Sequence, residues 1–323
     1  MNEKIAKISL PTTFQSEGVN VFVLEGDSLT LVDAGQNVEG SWYAFTEQLK
    51  FHGYTVKDIK QIIITHHHVD HIGLVKYFDH DVTFIGHPDC ERWVNPPSVF
   101  LEEHDAFFHE FFHQLGVPDQ LAKPYIHQKN QNIIANSQRS LDLHVVEGSE
   151  LPGLSEWRII ETFGHSQGHL SLFHPDDQLL IGGDILLPRI SPNPIIEPPI
   201  SPVLKRQTPQ IQLNDTLRKL LQLDIQRVLP GHGEDITELL PFIHSRLKKQ
   251  HERAMQVREW LKKESLTAYE VSRRLFPDSY KSSLGLILFE TIGQLDYLLS
   301  LRFITEERSE KGITYSANPT FQT

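Results

Sequence analysis

Residues 65–71 read Thr-His-His-His-Val-Asp-His, four imidazoles and a carboxylate within seven positions. Imidazole nitrogen and carboxylate oxygen are the donors that zinc takes, and iron or manganese as well. In an extended or looping segment, residues two apart point the same way. His66 and His68 can therefore grip one ion together, while Asp70 and His71, past the bend, can face a second. The chain has 18 histidines in 323 residues, so some clustering is ordinary and the reading needs partners elsewhere. They are present: His165 in the run Phe163 to His169 (FGHSQGH), Asp184 after Ile181-Gly182-Gly183, and His232 between Gly231 and Gly233. Each follows a strand-like run and sits beside glycine, which lets the backbone turn sharply and approach closely. Alone, His232 reads as a solvated loop residue, Asp184 as a helix N-cap, and His165 or His169 as a core histidine. In this order, at the ends of strands, they read as one ligand set.

The elements that must position this set follow from periodicity. Gly18–Glu25 and Ser28–Asp33 are apolar, β-branched runs around the turn Glu25-Gly26-Asp27, which predicts a hairpin. Ser41–Gly53 has helical spacing with Trp42, Phe45 and Leu49 on one face. Ile59–Thr65 reads as a buried strand, Ile72–Phe78 as a helix and Asp81–His87 as a strand. That alternation predicts a layered α/β architecture with the histidine cluster in a loop leaving a strand end, where chemistry usually sits. Strands are expected again at Leu141–Val146, Trp157–Thr162, Gln178–Ile181 and Arg227–Pro230, with a helix at Ile211–Leu223. Residues 92–130 interrupt this pattern with aromatic, histidine-rich helical sequence, expected to pack on the core or to form a lid-like insertion. His104, His109 and His113 fall in it and read as lid or surface residues. Residues 188–209 hold too many prolines for a regular element and are expected to form an ordered surface loop. From 241 a long polar helix, two further helices and a hairpin at Lys311-Gly312 give the order of a winged helix, so the expected domains are 1–240 and 241–323.

Composition bounds the function. The formal charge of −12 opposes binding to phosphate backbones. In the recognition-helix position, 284–301, stand Glu290, Gln294 and Asp296 with no lysine or arginine, so DNA is not an expected partner and RNA is disfavoured. The single cysteine, Cys90, excludes an intrachain disulfide and fits a reducing, cytoplasmic setting. No apolar run is long enough to span a bilayer, and the first residues lack the apolar core of a signal peptide.

With its H-x-H-x-D-H motif at 66–71, G-H-x-x-G-H at 164–169, Asp184 and His232, the chain resembles the metallo-β-lactamase superfamily of binuclear metallohydrolases over roughly residues 5 to 240. That likeness implies a four-layer αββα sandwich holding two divalent metal ions, zinc first with iron or manganese as alternatives. It implies His66, His68 and His165 on one ion, Asp70, His71 and His232 on the other, and Asp184 between them. Asp33, in LVDAG, matches a structural aspartate, His169 a histidine that is not a ligand, and His67 a variable position. Subgroups with cysteine at position 184 or glutamate at position 68 do not match, while single-iron sulfur dioxygenases retain most of these ligands. The subgroup with a C-terminal winged helix matches further in LTAYEVSRRLFP and GGDILLPRISPNP. The implied reaction is attack on an ester-like bond by a hydroxide shared between the ions, with Asp70 also a proton acceptor. A small-molecule thioester is the first expectation, as in hydroxyacylglutathione hydrolases. A lactone or carboxylic ester, or RNA in an endoribonuclease, is the alternative. A metal-binding scaffold without turnover is the non-enzymatic one. Oligomeric state is not indicated.

Overall fold

A strand in the first sheet carries two different sets of apolar side chains, one per face, and that alternation builds the layers. The structure, a computed structural model, describes residues 5–13, 18–136, 138–201, 203–278, 283–310 and 312–320. Its strands are β1 (Ile5–Leu10), β2 (Val19–Leu24), β3 (Leu29–Val32), β4 (Ile59–Ile63), β5 (Thr83–Gly86), β6 (Leu143–His144), β7 (Arg158–Glu161), β8 (Leu170–His174), β9 (Leu179–Gly183), β10 (Arg227–Pro230), β11 (Leu266–Thr267), β12 (Ile304–Ser309) and β13 (Gly312–Ala317). Its helices are α1 (Ser41–Phe51), α2 (Val69–Ile72), α3 (Glu91–Val94), α4 (Ser98–Gln114), α5 (Asp119–Ala135), α6 (Pro209–Leu220), α7 (Leu239–Leu261), α8 (Ala268–Leu275) and α9 (Leu284–Ser300).

The chain divides into two compact units. The first is Met1–Pro96, Ala135–Pro192 and Arg218–Leu240. It holds a six-stranded sheet in the order β1-β2-β3-β4-β5-β6 and a four-stranded sheet in the order β10-β9-β8-β7. Strands β1 to β3 are antiparallel and β3 to β6 parallel, so the first sheet is mixed. Val21 and Val23 of β2, Ile62 and Ile64 face Phe45 and Leu49 of α1. Phe22, Leu24 and Ile63, one residue out of phase, face Ile159, Leu172, Ile181 and Leu229 of the second sheet. This is the period of two expected of a strand buried on both faces, and it stacks helix, sheet and sheet.

The strand ends bring the chemistry together. β3 ends before Asp33, β4 runs into the histidine cluster, β9 ends before Asp184 and β10 before Gly231. The helix expected at 72–78 is not formed. A helical turn spans only Val69–Ile72, because Gly73 N–H and Leu74 N–H donate to Gly35 O (2.7 Å) and Ala34 O (3.1 Å) instead of continuing the helix. A single turn of 3₁₀ helix follows at Val75–Tyr77. Strands β1 and β8 are additions to the elements expected from periodicity.

The second unit is Pro97–Ile134, Asn193–Leu217 and Pro241–Thr323. It draws the aromatic insertion into a core with the C-terminal segments. Phe108, Phe111, Phe112 and Leu115 share one buried cluster with Val257, Leu288, Phe289, Ile292, Ile304, Ile313 and Tyr315. The aromatic stripe of α4 is therefore used in packing. His109 and His113 are exposed, but His104 is buried and lies against Phe100 and Phe108, which corrects its reading as a lid or surface residue. Helix α8 starts with a capping box: Thr267 Oγ1 accepts from Glu270 N–H, and Glu270 accepts from Thr267 N–H. A three-stranded antiparallel sheet, β11-β13-β12, closes the chain; Lys311, at the expected hairpin turn, lies outside the described residues. The expected recognition helix, α9, is a core helix whose polar groups are committed within the unit. Arg206 donates to both oxygens of the buried Asp296 at 2.8 Å, and the buried Gln294 bonds to Gln250 and Glu290. Among the described residues, no helix is long and apolar enough to cross a membrane.

Candidate metal centre

All seven expected ligands lie in the first unit and converge. His66 Nε2 and His165 Nε2 approach His68 Nδ1 at 2.9 and 3.0 Å. His232 Nε2 lies 3.1 Å from Asp70 Oδ2, and His71 Nε2 lies 3.9 Å from the same oxygen. Asp184 stands between the two groups. Its Oδ1 is 3.4 Å from His71 Nε2, and its Oδ2 is 3.5 Å from His232 Nε2 and 3.6 Å from His165 Nε2. Three trios, His66–His68–His165, His66–His71–Asp184 and Asp70–His71–His232, each present ligand atoms within 4.8 Å of one another.

Hydrogen bonds outside the centre set which nitrogen faces it. Asp33 is the hub. Its carboxylate accepts from Thr65 N–H (2.7 Å), Thr65 Oγ1 (2.8 Å) and His71 Nδ1 (2.7 Å). It does so from a left-handed backbone, φ 61°, which a non-glycine residue holds only when its surroundings fix it. Because Thr65 donates its hydroxyl proton to Asp33, its oxygen accepts from His66 Nδ1 at 3.0 Å. His232 Nδ1 donates to the carbonyl of Gly18 at 2.6 Å. Thus His66, His71 and His232 each commit Nδ1–H outward and turn Nε2 inward. His169 shares that tautomer but uses its Nε2 on the backbone: Nε2 accepts from the N–H of Asp184 at 3.1 Å, and Nδ1 bonds Thr162 Oγ1 at 2.8 Å. Its ring is spent on holding Asp184. Backbone approach is equally close. A Cβ on Gly231 would lie 2.3 Å from Asp184 Oδ1 and 2.8 Å from His71 Cε1.

The electrostatics divide the centre. Burial, with the neighbouring rings of His71 and His68, holds His66 well below the ordinary imidazole range. Burial pushes His71 down too, but the carboxylates of Asp184, Asp33 and Asp70 outweigh it and lift that ring well above the range. Burial opposes protonation of His232, yet Asp184 and Asp70 raise it to about 10. Asp184 is pushed up by burial and, more strongly, down by His71 and His232, so it stays ionised.

A cation fits this donor set. His71 Nε2 and Asp184 Oδ1 are buried and face each other at 3.4 Å without good hydrogen-bond geometry, so the pair holds by charge and both atoms are open to a cation. Zinc bonds of about 2.0–2.1 Å place tetrahedral nitrogens roughly 3.3–3.4 Å apart, so the three-histidine group needs only a few tenths of an ångström of opening. His67 belongs to none of these three trios and stacks on Trp93 at 4.6 Å. Thr65 and Thr162, which bond His66 and His169, and the buried Asn20 carried no expected role in the sequence. A polar residue inside the otherwise apolar strand VNVFVL was the one available signal, and it marks Asn20.

The family model described as the metallo-beta-lactamase superfamily matches residues 16–232. The chain belongs to that superfamily. The "Probable metallo-hydrolase YqjP" of Bacillus subtilis (strain 168) is 37% identical over 308 residues, 94% of each chain. A second protein of that organism, "Probable metallo-hydrolase YflN", is 26% identical over 66% of this chain and 78% of its own. Among solved structures, a metallo-beta-lactamase family protein from Thermus thermophilus, TTHA1429, matches with a TM-score of 0.80 at 23% identity, covering 98% of this chain and 99% of its own. A beta-lactamase domain protein from Burkholderia ambifaria matches at 0.76 and 20% identity, covering 98% and 93%. The fold shared with these superfamily members is α/β, as the sequence implied, and its sheets are mixed.

Proposed function

We propose that the chain is a binuclear metal-dependent hydrolase that cleaves an ester-like bond, with a small-molecule thioester as the favoured substrate. The observation that carries this is the place of Asp184: one carboxylate faces both groups of donors, and its Oδ1 and His71 Nε2 stand buried without good hydrogen-bond geometry. His66, His68 and His165 would hold one divalent cation, and Asp70, His71 and His232 a second, with Asp184 touching both. Zinc suits the nitrogen-rich donors best. Such cations lower the pKa of water from 15.7 to about 7 and polarise a carbonyl oxygen. Asp33, Thr65 and the carbonyl of Gly18 keep three imidazoles in the tautomer that offers Nε2. His169 holds the backbone of Asp184. Asp70, whose Oδ2 lies 3.1 Å from His232 Nε2, would be the carboxylate to accept a proton from attacking water. The name of the 37% identical relative, a probable metallo-hydrolase, agrees with this chemistry.

Charge favours the small substrate over RNA: the chain carries −12, and α9 has no lysine or arginine. The aromatic side chains of α4 lend little to an acyl site, because Phe108, Phe111 and Phe112 are buried in the second unit's core. We read 241–323 as a winged-helix module that serves packing, and a reducing compartment suits the one buried cysteine, Cys90. The test is metal analysis of purified protein, then turnover of acyl-glutathione, acyl-CoA, lactone and single-stranded RNA. Thioester cleavage lost in His68→Ala is the expected result. RNA cleavage with every thioester intact would overturn the substrate assignment. Absence of bound metal, with His68→Ala unchanged in every assay, would overturn the hydrolase.

A further inference from the structure

Strand β2 is apolar except at one position. Asn20 is 1% exposed in the run VNVFVL. Asparagine is depleted in strand interiors, and a buried amide is costly unless its bonds are made. Here they are made, and they aim at one loop. Both protons of Nδ2 are donated, to Pro230 O at 3.0 Å and Gly233 O at 2.9 Å. The backbone N–H of Asn20 donates to Gly231 O at 2.7 Å. Its Oδ1 accepts from Ser9 Oγ at 2.8 Å, which fixes which end of the amide faces the loop. One residue therefore grips three carbonyls around His232. Two positions earlier in the chain, the carbonyl of Gly18 accepts from His232 Nδ1. Lys7, on β1, adds a bond from Nζ to Gly233 O at 3.0 Å.

We infer that Asn20 is a positioning residue for the second half of the metal centre, holding residues 230–233 so that His232 Nε2 faces Asp70 and Asp184. The inference rests on the binuclear reading above. The strand ladder itself uses backbone groups and gives no reason for an amide at this place. The His66, His68 and His165 group is held by other bonds, those of Thr65 and Asp33 among them. Loss of the Asn20 amide therefore acts on one ion and spares the other. Asn20→Leu keeps the approximate volume, takes the side-chain donor from Pro230 O and leaves Gly233 O to Lys7. Asn20→Asp sets a carboxylate oxygen against those same carbonyls. Ser9→Ala, on an exposed residue, is the mild variant: it removes only the hydroxyl that orients the amide.

The experiment is stepwise zinc removal by a chromophoric chelator from the full-length protein, with His232→Ala and His68→Ala marking the loss of each half. A second readout, independent of any ion, is the hydrogen-bonded Nδ1 proton of His232 in the nuclear magnetic resonance spectrum of metal-free protein. Wild type is expected to hold two ions. Asn20→Leu and Asn20→Asp are expected to bind the second about 10–100-fold more weakly, the usual effect of losing a ligand's supporting partner, and the first within about threefold of wild type. Ser9→Ala shifts the second ion a few-fold in the same direction, and the His232 proton broadens in the Asn20 variants. If wild type holds two ions and the variants lose both alike, or neither, the role of Asn20 is refuted while the centre stands. If wild type holds one ion only, the binuclear reading falls and takes this inference with it.

Discussion

Replacing Asp33 by asparagine tests how the centre is wired. The carboxylate accepts three hydrogen bonds from Thr65 and His71 and is 1% exposed. In Asp33→Asn, the amide oxygen can keep the bond from Thr65 N–H. The amide nitrogen then replaces Oδ2 and meets two donors, Thr65 Oγ1 and His71 Nδ1. Hydrogen bonds to a charged group contribute about 1.5–3 kcal/mol each. Losing two gives about 3–6 kcal/mol, and removing a buried charge offsets part of that, so a net loss of about 2–4 kcal/mol is expected in the metal-free protein. The variant also loses the acceptor that keeps the proton on Nδ1 of His71. Its second ion should weaken about 10–100-fold, or about 1.4–2.7 kcal/mol. Urea unfolding gives the first figure if the slope is unchanged, and chelator competition gives the second. A stability change under about 1 kcal/mol together with affinities within about threefold of wild type would refute the wiring.

His169→Ala removes the acceptor for the N–H of Asp184, which faces both groups; both ions should weaken together, read by the same chelator competition, and loss of one alone would contradict the assignment. The metal-free protein should lose stability in alkali. His232 is raised to about 10 by Asp184 and Asp70, against burial, from about 6.5 in the unfolded chain. Its contribution is fully present below about 6.5 and is lost as pH rises through about 10. The melting temperature of metal-free protein should therefore fall between pH 7 and pH 10.5, while the metal-loaded protein, whose imidazoles are unprotonated at the ligand atom, falls less. Equal pH profiles would count against the charge state given to His232. In the second unit, Arg206→Ala leaves the buried Asp296 carboxylate without its bidentate partner and should cost about 3–5 kcal/mol; a loss under about 1 kcal/mol in urea unfolding would show the pair to be dispensable.

The convergence of these seven side chains was legible in the sequence because each carries its own signal. Histidine and aspartate beside glycine at strand ends mark close backbone approach wherever the strands lie, and the structure brings all seven together. The hairpin β2–β3, helix α1 and strands β4, β5, β9 and β10 were equally readable, since each buries a face or two by simple periodicity. What was not readable depended on distant partners. Strand β1, IAKISL, mixes Lys7 and Ser9 with apolar residues and becomes a strand by pairing with β2. The turn at Gly73 and Leu74 is decided by the carbonyls of Ala34 and Gly35, some 40 residues earlier. The phenylalanines of α4 look like a lid until α9 and β13, nearly 200 positions away, supply the core they join. Thr65, Asn20 and Thr162 escape notice for the same reason: ordinary polar residues acquire a role only through what they touch.

Anomalous diffraction from crystals grown with zinc tests the central claim most directly. The account requires two peaks: one within about 2.0–2.3 Å of His66 Nε2, His68 Nδ1 and His165 Nε2, the other equally close to Asp70, His71 and His232, with the Asp184 carboxylate reaching both. A single peak, or density away from these seven side chains, would contradict it.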